Sequence, residues 1–241
     1  MKGNDDIAVE NLIRELGDAH KTVQRRAIDE LVALAAAGNP LVAEKLRGSI
    51  AKADRRVRWA AAYALGQIGA GAFAMDSADA LCEAMSDDDG DIRWAATNLM
   101  VQLGRDNLSE IGSRLIELAA TGDHNARKMA LYCIRDLELS GPELLAVLAL
   151  AAHDSDVHVR LAALSVLSRI RDASGQAVRI MLECLKSDPD AGVRRAAASA
   201  LGNIRSGAAD AIAALTSAAT DLADESLARA ARGALDRLEK R

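Results

Sequence analysis

Cysteine, histidine and clustered aspartate are the residue types here that could carry out covalent or metal chemistry. Cys82, Cys133 and Cys184 could act as nucleophiles or soft metal ligands, but they are far apart and no second Cys or His stands at metal-binding spacing. Reduced, mostly buried thiols are the expectation. Of the four histidines, His153 and His158 are five residues apart, which on a shared helix puts them on different sides. The run Asp87-Asp-Asp-Gly-Asp91 could suggest calcium, yet it lacks the length and the distal glutamate of a calcium loop. A turn rich in helix-capping acids is expected instead. No nucleophile elbow, phosphate-cradling glycine loop, zinc-binding His pair or dinucleotide fingerprint occurs. No catalytic residue, metal ligand or cofactor is therefore assigned.

Recognition chemistry remains. The chain holds five aromatic residues in 241, Trp59, Trp94, Tyr63, Tyr132 and Phe73, although 50% of it is apolar. Few aromatics and abundant alanine and leucine exclude a β-sandwich or barrel and point to closely packed helices. Thirty Lys and Arg against thirty-five Asp and Glu leave a net charge of -5, with a pI near 5.5. No global field favours a polyanion, so a nucleic-acid partner is not expected. The N-terminus has no apolar signal core and no stretch of eighteen uncharged apolar residues occurs, which leads to the expectation of a cytoplasmic protein without a membrane partner.

The elements that position these residues are set by an internal repeat. Asp54-Arg-Arg-Val-Arg-Trp-Ala-Ala-Ala-Tyr-Ala-Leu-Gly-Gln-Ile68 returns 136 residues later as Asp190-Ala-Gly-Val-Arg-Arg-Ala-Ala-Ala-Ser-Ala-Leu-Gly-Asn-Ile204. The valine position, used below as the anchor, recurs at Val23, Val57, Ile92, Ala126, Val159, Val193 and Leu227, spaced by 33 to 35 residues. Apolar or small residues at anchor +4, +7, +8 and +11 form the buried stripe of a helix. The aspartate at anchor −3 is placed to cap that helix. A second apolar-periodic segment precedes each aspartate, so each unit reads as an antiparallel helix pair. Breakers such as Gly38-Asn-Pro40, Gly69-Ala-Gly71, Gly104-Arg-Asp-Asn107, Ser140-Gly-Pro142, Ser174-Gly175 and Ser206-Gly207 separate the units. The expected fold is all-α, a right-handed α-solenoid of seven helix-pair repeats over 1–37, 38–70, 71–105, 106–139, 140–172, 173–206 and 207–241. No linker divides it, so a single domain over 1–241 is expected.

The pattern Asp-x-x-Val-Arg-x-x-Ala-x-x-Ala-Leu-Gly-x-Ile resembles the short HEAT-like repeats first described in phycobilisome lyases, and the resemblance covers essentially the whole chain. It implies an interaction scaffold or adaptor that binds a protein or peptide on the concave face of its second helices. For some members it implies instead a lyase or carrier chaperone for a bilin or other tetrapyrrole.

Two residue sets follow. The first pairs the anchor −3 aspartates with the arginine at anchor +1: Asp54 and Arg58, Asp89 and Arg93, Asp123 and Arg127, Asp156 and Arg160, Asp190 and Arg194. Repeat one has Gln24 and repeat seven Ala228 in place of the arginine. Because the arginine is internal only, a ladder of charge-assisted hydrogen bonds to aspartates at repeat junctions is expected, with residues 1–241 forming the complete folding unit. The second set lies at anchor +2 and +6, positions the resemblance assigns to the groove. The +2 row reads Arg25, Trp59, Trp94, Lys128, Leu161, Arg195 and Arg229, and the +6 row Asp29, Tyr63, Asn98, Tyr132, Ser165, Ser199 and Gly233. Four of the five aromatics fall on these rows, and such side chains carry much binding energy. The expected partner-binding residues are Trp59, Tyr63, Trp94, Asn98, Lys128, Tyr132, Arg195 and Arg229, with the aromatics exposed or half-exposed rather than filling seams between helices.

Overall fold

In a computed structural model, residues 2–52, 54–68, 76–170, 175–204, 208–221 and 223–240 are described. The expected breakers at Gly69–Gly71 and Ser206–Gly207, and Phe73, lie outside them. Fourteen α-helices and no strand occur among the described residues. The chain divides into two compact units, 1–111 and 112–241. The division falls inside a helix, α7 (Leu108–Thr121), and not in a linker.

Unit 1 holds α1 (Lys2–Glu15), α2 (Lys21–Ala36), α3 (Leu41–Lys52), α4 (Arg55–Ile68), α5 (Asp76–Ala84) and α6 (Gly90–Asp106). The first helices α1, α3 and α5 pack on one another in sequence, as do the second helices α2, α4 and α6. Leu16, Leu31, Leu46, Leu65, Leu81 and Met85 are fully buried between the two rows. Unit 2 repeats the plan with α8 (His124–Asp136), α9 (Pro142–Ala151), α10 (Val157–Leu167), α11 (Gly175–Ser187), α12 (Ala191–Leu201), α13 (Ala208–Ala219) and α14 (Glu225–Glu239). Here α8, α10, α12 and α14 form the row of second helices. Met129, Leu131, Ile134, Leu148 and Leu201 are sealed within the unit.

Helix starts follow the repeat chemistry. The anchor −3 aspartate accepts a hydrogen bond from a first-turn backbone N–H in every repeat that has one. Asp54 accepts from Val57 at 3.0 Å, Asp123 from Ala126 at 2.8 Å and Asp190 from Val193 at 3.0 Å. Each such cap contributes about 1 kcal/mol by satisfying an orphan donor. Gly141 takes φ 142°, a conformation open to glycine, immediately before Pro142 opens α9. The break expected over Gly104–Asn107 falls at its last residue, Asn107. The glycine is buried inside α6, which runs on to Asp106 and stops where the Asn107 amide donates to Leu103 O at 3.1 Å. Packing against its neighbours outweighs the weak helix propensity of one glycine.

Candidate functional site

The anchor +1 arginines reach carboxylates of the following repeat in unit 2. Arg127 makes two bonds to Asp154, at 2.8 and 3.0 Å, and Arg160 makes two to Asp188, at 2.9 and 3.1 Å. Arg194 contacts Asp224 at 3.2 Å. A further guanidinium nitrogen in each case donates to a carbonyl in the turn before its own helix, from Arg127 to Gly122 O, Arg160 to Asp154 O and Arg194 to Asp188 O. Each arginine thus closes its own turn and grips the next one. In unit 1, Arg58 pairs with Glu83, and Arg93 donates to Asp87 O. Gln24, in the arginine position of repeat one, keeps the inward bond alone, donating to Leu16 O at 2.8 Å.

Asp54, Asp89, Asp123, Asp156 and Asp190 cap their helices, and the carboxylates that meet the arginines in unit 2 are Asp154, Asp188 and Asp224. Only Asp224 holds the anchor −3 place. Asp154 and Asp188 belong to a second column at anchor −5, shared with Asp18 and Asp87. Members of this column accept from the backbone N–H two residues on: Asp18 from His20, Asp87 from Asp89, Asp154 from Asp156 and Asp188 from Asp190, all at 2.8–2.9 Å. This is an Asx turn that sets the capping aspartate in place. The column is visible in the aligned repeats, but there the capping column, present in six of seven, draws the attention.

The recognition rows divide differently. In unit 1, α2, α4, α6 and the turns before α2 and α6 enclose a cleft of about 740 Å3. Trp59 and Tyr63, one turn apart on α4, form an aromatic wall with ring centroids 5.2 Å apart and planes tilted by 53°. Trp59 is not exposed as the row suggested. It is 8% accessible and sits in the seam between second helices, and its indole Nε1 has no hydrogen-bond partner among the described residues. Tyr63 is half-buried, and Trp94, on α6, is 50% exposed beside the exposed Asn98. Ile28 and Ile92 supply apolar lining. The anchors Val23, Val57 and Ile92 are only half-buried in unit 1, whereas Ala126, Val159, Val193 and Leu227 are buried in unit 2.

Charge surrounds the unit 1 cleft. Its carboxylates are Asp18, Asp29, Asp87, Asp89 and Asp91, and its cations Lys21, Arg25 and Arg56. Lys21 pairs with Asp89 and approaches Asp91 at 3.8 Å. The hydrogen bond from the Lys21 ammonium holds the Asp89 carboxyl below the ordinary carboxylate value, and Asp89 in turn raises Lys21. Asp18 is lowered by the His20 backbone N–H and then by the His20 ring. Sequence reasoning missed Lys21 and Asp18, since no repeated column marks Lys21.

In unit 2 the rows carry no comparable wall. Tyr132 is half-buried with the Arg135 guanidinium 5.0 Å from its ring centre, and Lys128 donates to Asn125 at 3.2 Å. Arg195 and Arg229 are exposed, Arg229 lying 3.5 Å from Glu225. Of the thiols, Cys133 and Cys184 are buried and Cys82 half-buried; burial pushes the Cys184 thiol up to about 11, which makes it a poor nucleophile. Among the described residues no group of three His, Cys, Asp or Glu could hold a metal ion, and no helix is long and apolar enough to cross a membrane.

Stacked helix pairs joined by capped turns define a helical-repeat protein. The family model for HEAT repeats matches residues 9–101 and 145–236, more than half of the chain. The chain belongs to the HEAT-repeat family. No match was found among curated proteins. Among solved structures the chain is similar to YibA of E. coli, at 16% identity over 96% of this chain and 92% of that one, with a TM-score of 0.59. It is also similar to an engineered protein, at 21% identity over 95% of this chain and 68% of that one, with a TM-score of 0.54. At such identities the likeness shows the fold alone.

Proposed function

We propose that the protein is a non-catalytic binding scaffold that takes a protein or peptide partner on the +2 and +6 rows of its second helices, the site centring on unit 1. The observation that carries this reading is the preformed cleft of about 740 Å3 walled by Trp59 and Tyr63. Its volume falls within the roughly 300–1,000 Å3 of ordinary ligand sites. Trp94, half in solvent at the same position one repeat on, offers a large apolar surface with few rotamers to freeze. The repeat period of 33 to 35 residues supports assignment to the short, phycobilisome-lyase type of HEAT repeat.

Affinity capture from the native cell, with mass spectrometry and an absorption spectrum of the eluate, tests the reading. A stoichiometric protein partner lost on Trp94→Ala is expected. The same partner captured by the variant would remove this face from consideration. A pigment absorbing visible light without a protein partner would favour a tetrapyrrole carrier.

A further inference from the structure

We propose that the unit 1 cleft recognises a basic segment of a partner protein, seating a lysine or arginine side chain between its aspartates and the Trp59–Tyr63 wall. The inference rests on the second-helix face being an interaction surface and adds the chemistry of what it binds.

Charge distribution is the first argument. Residues 1–111 carry 13 Lys and Arg against 18 Asp and Glu, while residues 112–241 carry 17 of each, so the entire net charge of -5 belongs to unit 1. Within the cleft the carboxylates again outnumber the cations. They are also unevenly used. Lys21 is engaged by Asp89, whereas Asp91, 91% exposed, meets it only at 3.8 Å. Asp29, exposed on α2, makes no ion pair with any described residue. Lys21 itself shows that an ammonium group is accommodated at this rim.

The second argument is independent of charge. Trp59 lines the cleft with a side chain more than nine-tenths buried, and its indole N–H, itself shut off from solvent, has no acceptor among the described residues. Buried donors are almost always satisfied, and Trp59 gains an acceptor from a bound partner only if its ring shifts as the partner enters. A polypeptide supplies what this cleft lacks: a cation for Asp29 and Asp91, and methylenes to lie along Ile28 and the aromatic faces. A nucleic acid has the wrong sign, and a bare metal ion brings no methylenes for the aromatic wall.

The test uses the full chain and two short peptides, one alternating lysine and arginine with glycine and serine, the other with glutamate at the charged positions. Trp59 and Trp94 are the only tryptophans, both in unit 1, so a Trp94→Phe background reads Trp59 alone. The basic peptide is expected to shift Trp59 emission, to bind more weakly as salt rises, and to lose roughly tenfold in affinity or more in the Asp29→Asn/Asp91→Asn double variant. That variant spares the capping Asp89, and Arg179→Gln with Lys186→Gln, two exposed cations on the first helix α11, should leave binding unchanged. Binding of the basic peptide that ignores the asparagine pair, or equal binding of the glutamate peptide, overturns the proposal. If the glutamate peptide binds and Trp94→Ala abolishes it, the preference for cations falls while the binding face stands. If neither peptide moves the emission and the captured partner survives Trp94→Ala, both readings fall.

Discussion

The two units are built from one repeat and use its arginine and aspartate columns differently. In unit 2 the guanidinium of Arg160 is 9% exposed as a residue and meets an Asp188 side chain that is 5% exposed. In unit 1 the corresponding pair, Arg58 with Glu83, leaves the two side chains 32% and 45% exposed. Anchors are sealed in unit 2 and half-open in unit 1, where the acidic excess and both tryptophans also lie. The same helix-pair signature therefore serves stacking best where charges are buried and balanced. It leaves a cleft where anchors are half-open and charge is unbalanced.

The sharpest way to break this contrast is to remove one arginine from each unit. Arg160→Gln strands the Asp188 carboxylate in a buried turn and is expected to cost about 3 kcal/mol, since an unpaired buried charge is the expensive outcome. Arg58→Gln, at a solvent-screened pair, is expected to cost under about 1 kcal/mol. Urea unfolding of both variants measures this, and equal losses would erase the distinction between the units.

A smaller difference is expected at the glycines of the shared Leu-Gly-x-Ile motif. A Cβ at Gly202 would sit 2.7 Å from Ala234 Cα and Cβ on α14, so backbone must move. At Gly66 the obstacle is the end of the Leu99 side chain, which can rotate. Gly202→Ala should cost about 2 kcal/mol and Gly66→Ala clearly less, read as shifts in thermal midpoint.

The smallest effect concerns the cleft rim. Lys21 lowers the Asp89 carboxyl, so Asp89 contributes stability that is present above the ordinary carboxylate value and lost as pH falls through its own lower one. In Lys21→Met the Asp89 titration, followed by carboxyl NMR, is expected to move up toward the ordinary value. No movement would mean that the pair does not persist in solution.

Much of this was legible in the chain. Val57, Ala61, Ala64, Leu65 and Ile68 announce a helix stripe, and the aspartate three residues before six of the seven anchors announces the cap, because both depend on spacing within a turn or two. The register also placed Trp59, Tyr63, Trp94 and Tyr132 on two rows. Burial along those rows was not legible. Trp59 and Trp94 occupy the same repeat position, yet one is sealed and the other half in solvent. Both stand in the same Arg-Trp-Ala-Ala segment, so the neighbours brought by packing separate them.

The arginine partners show the same boundary. Repetition singles out Arg127, Arg160 and Arg194 as one column. That Asp154 and Asp188 receive them, while Asp123, Asp156 and Asp190 are occupied by helix N–H groups, depended on which oxygen lies within reach across a repeat junction. The sequence by itself determined the helices, their caps and the family, since these rest on short-range periodicity. The cleft, the orphan indole N–H and the choice of ion-pair partners were decided by tertiary packing, because each depends on distances between residues some 25 to 70 positions apart.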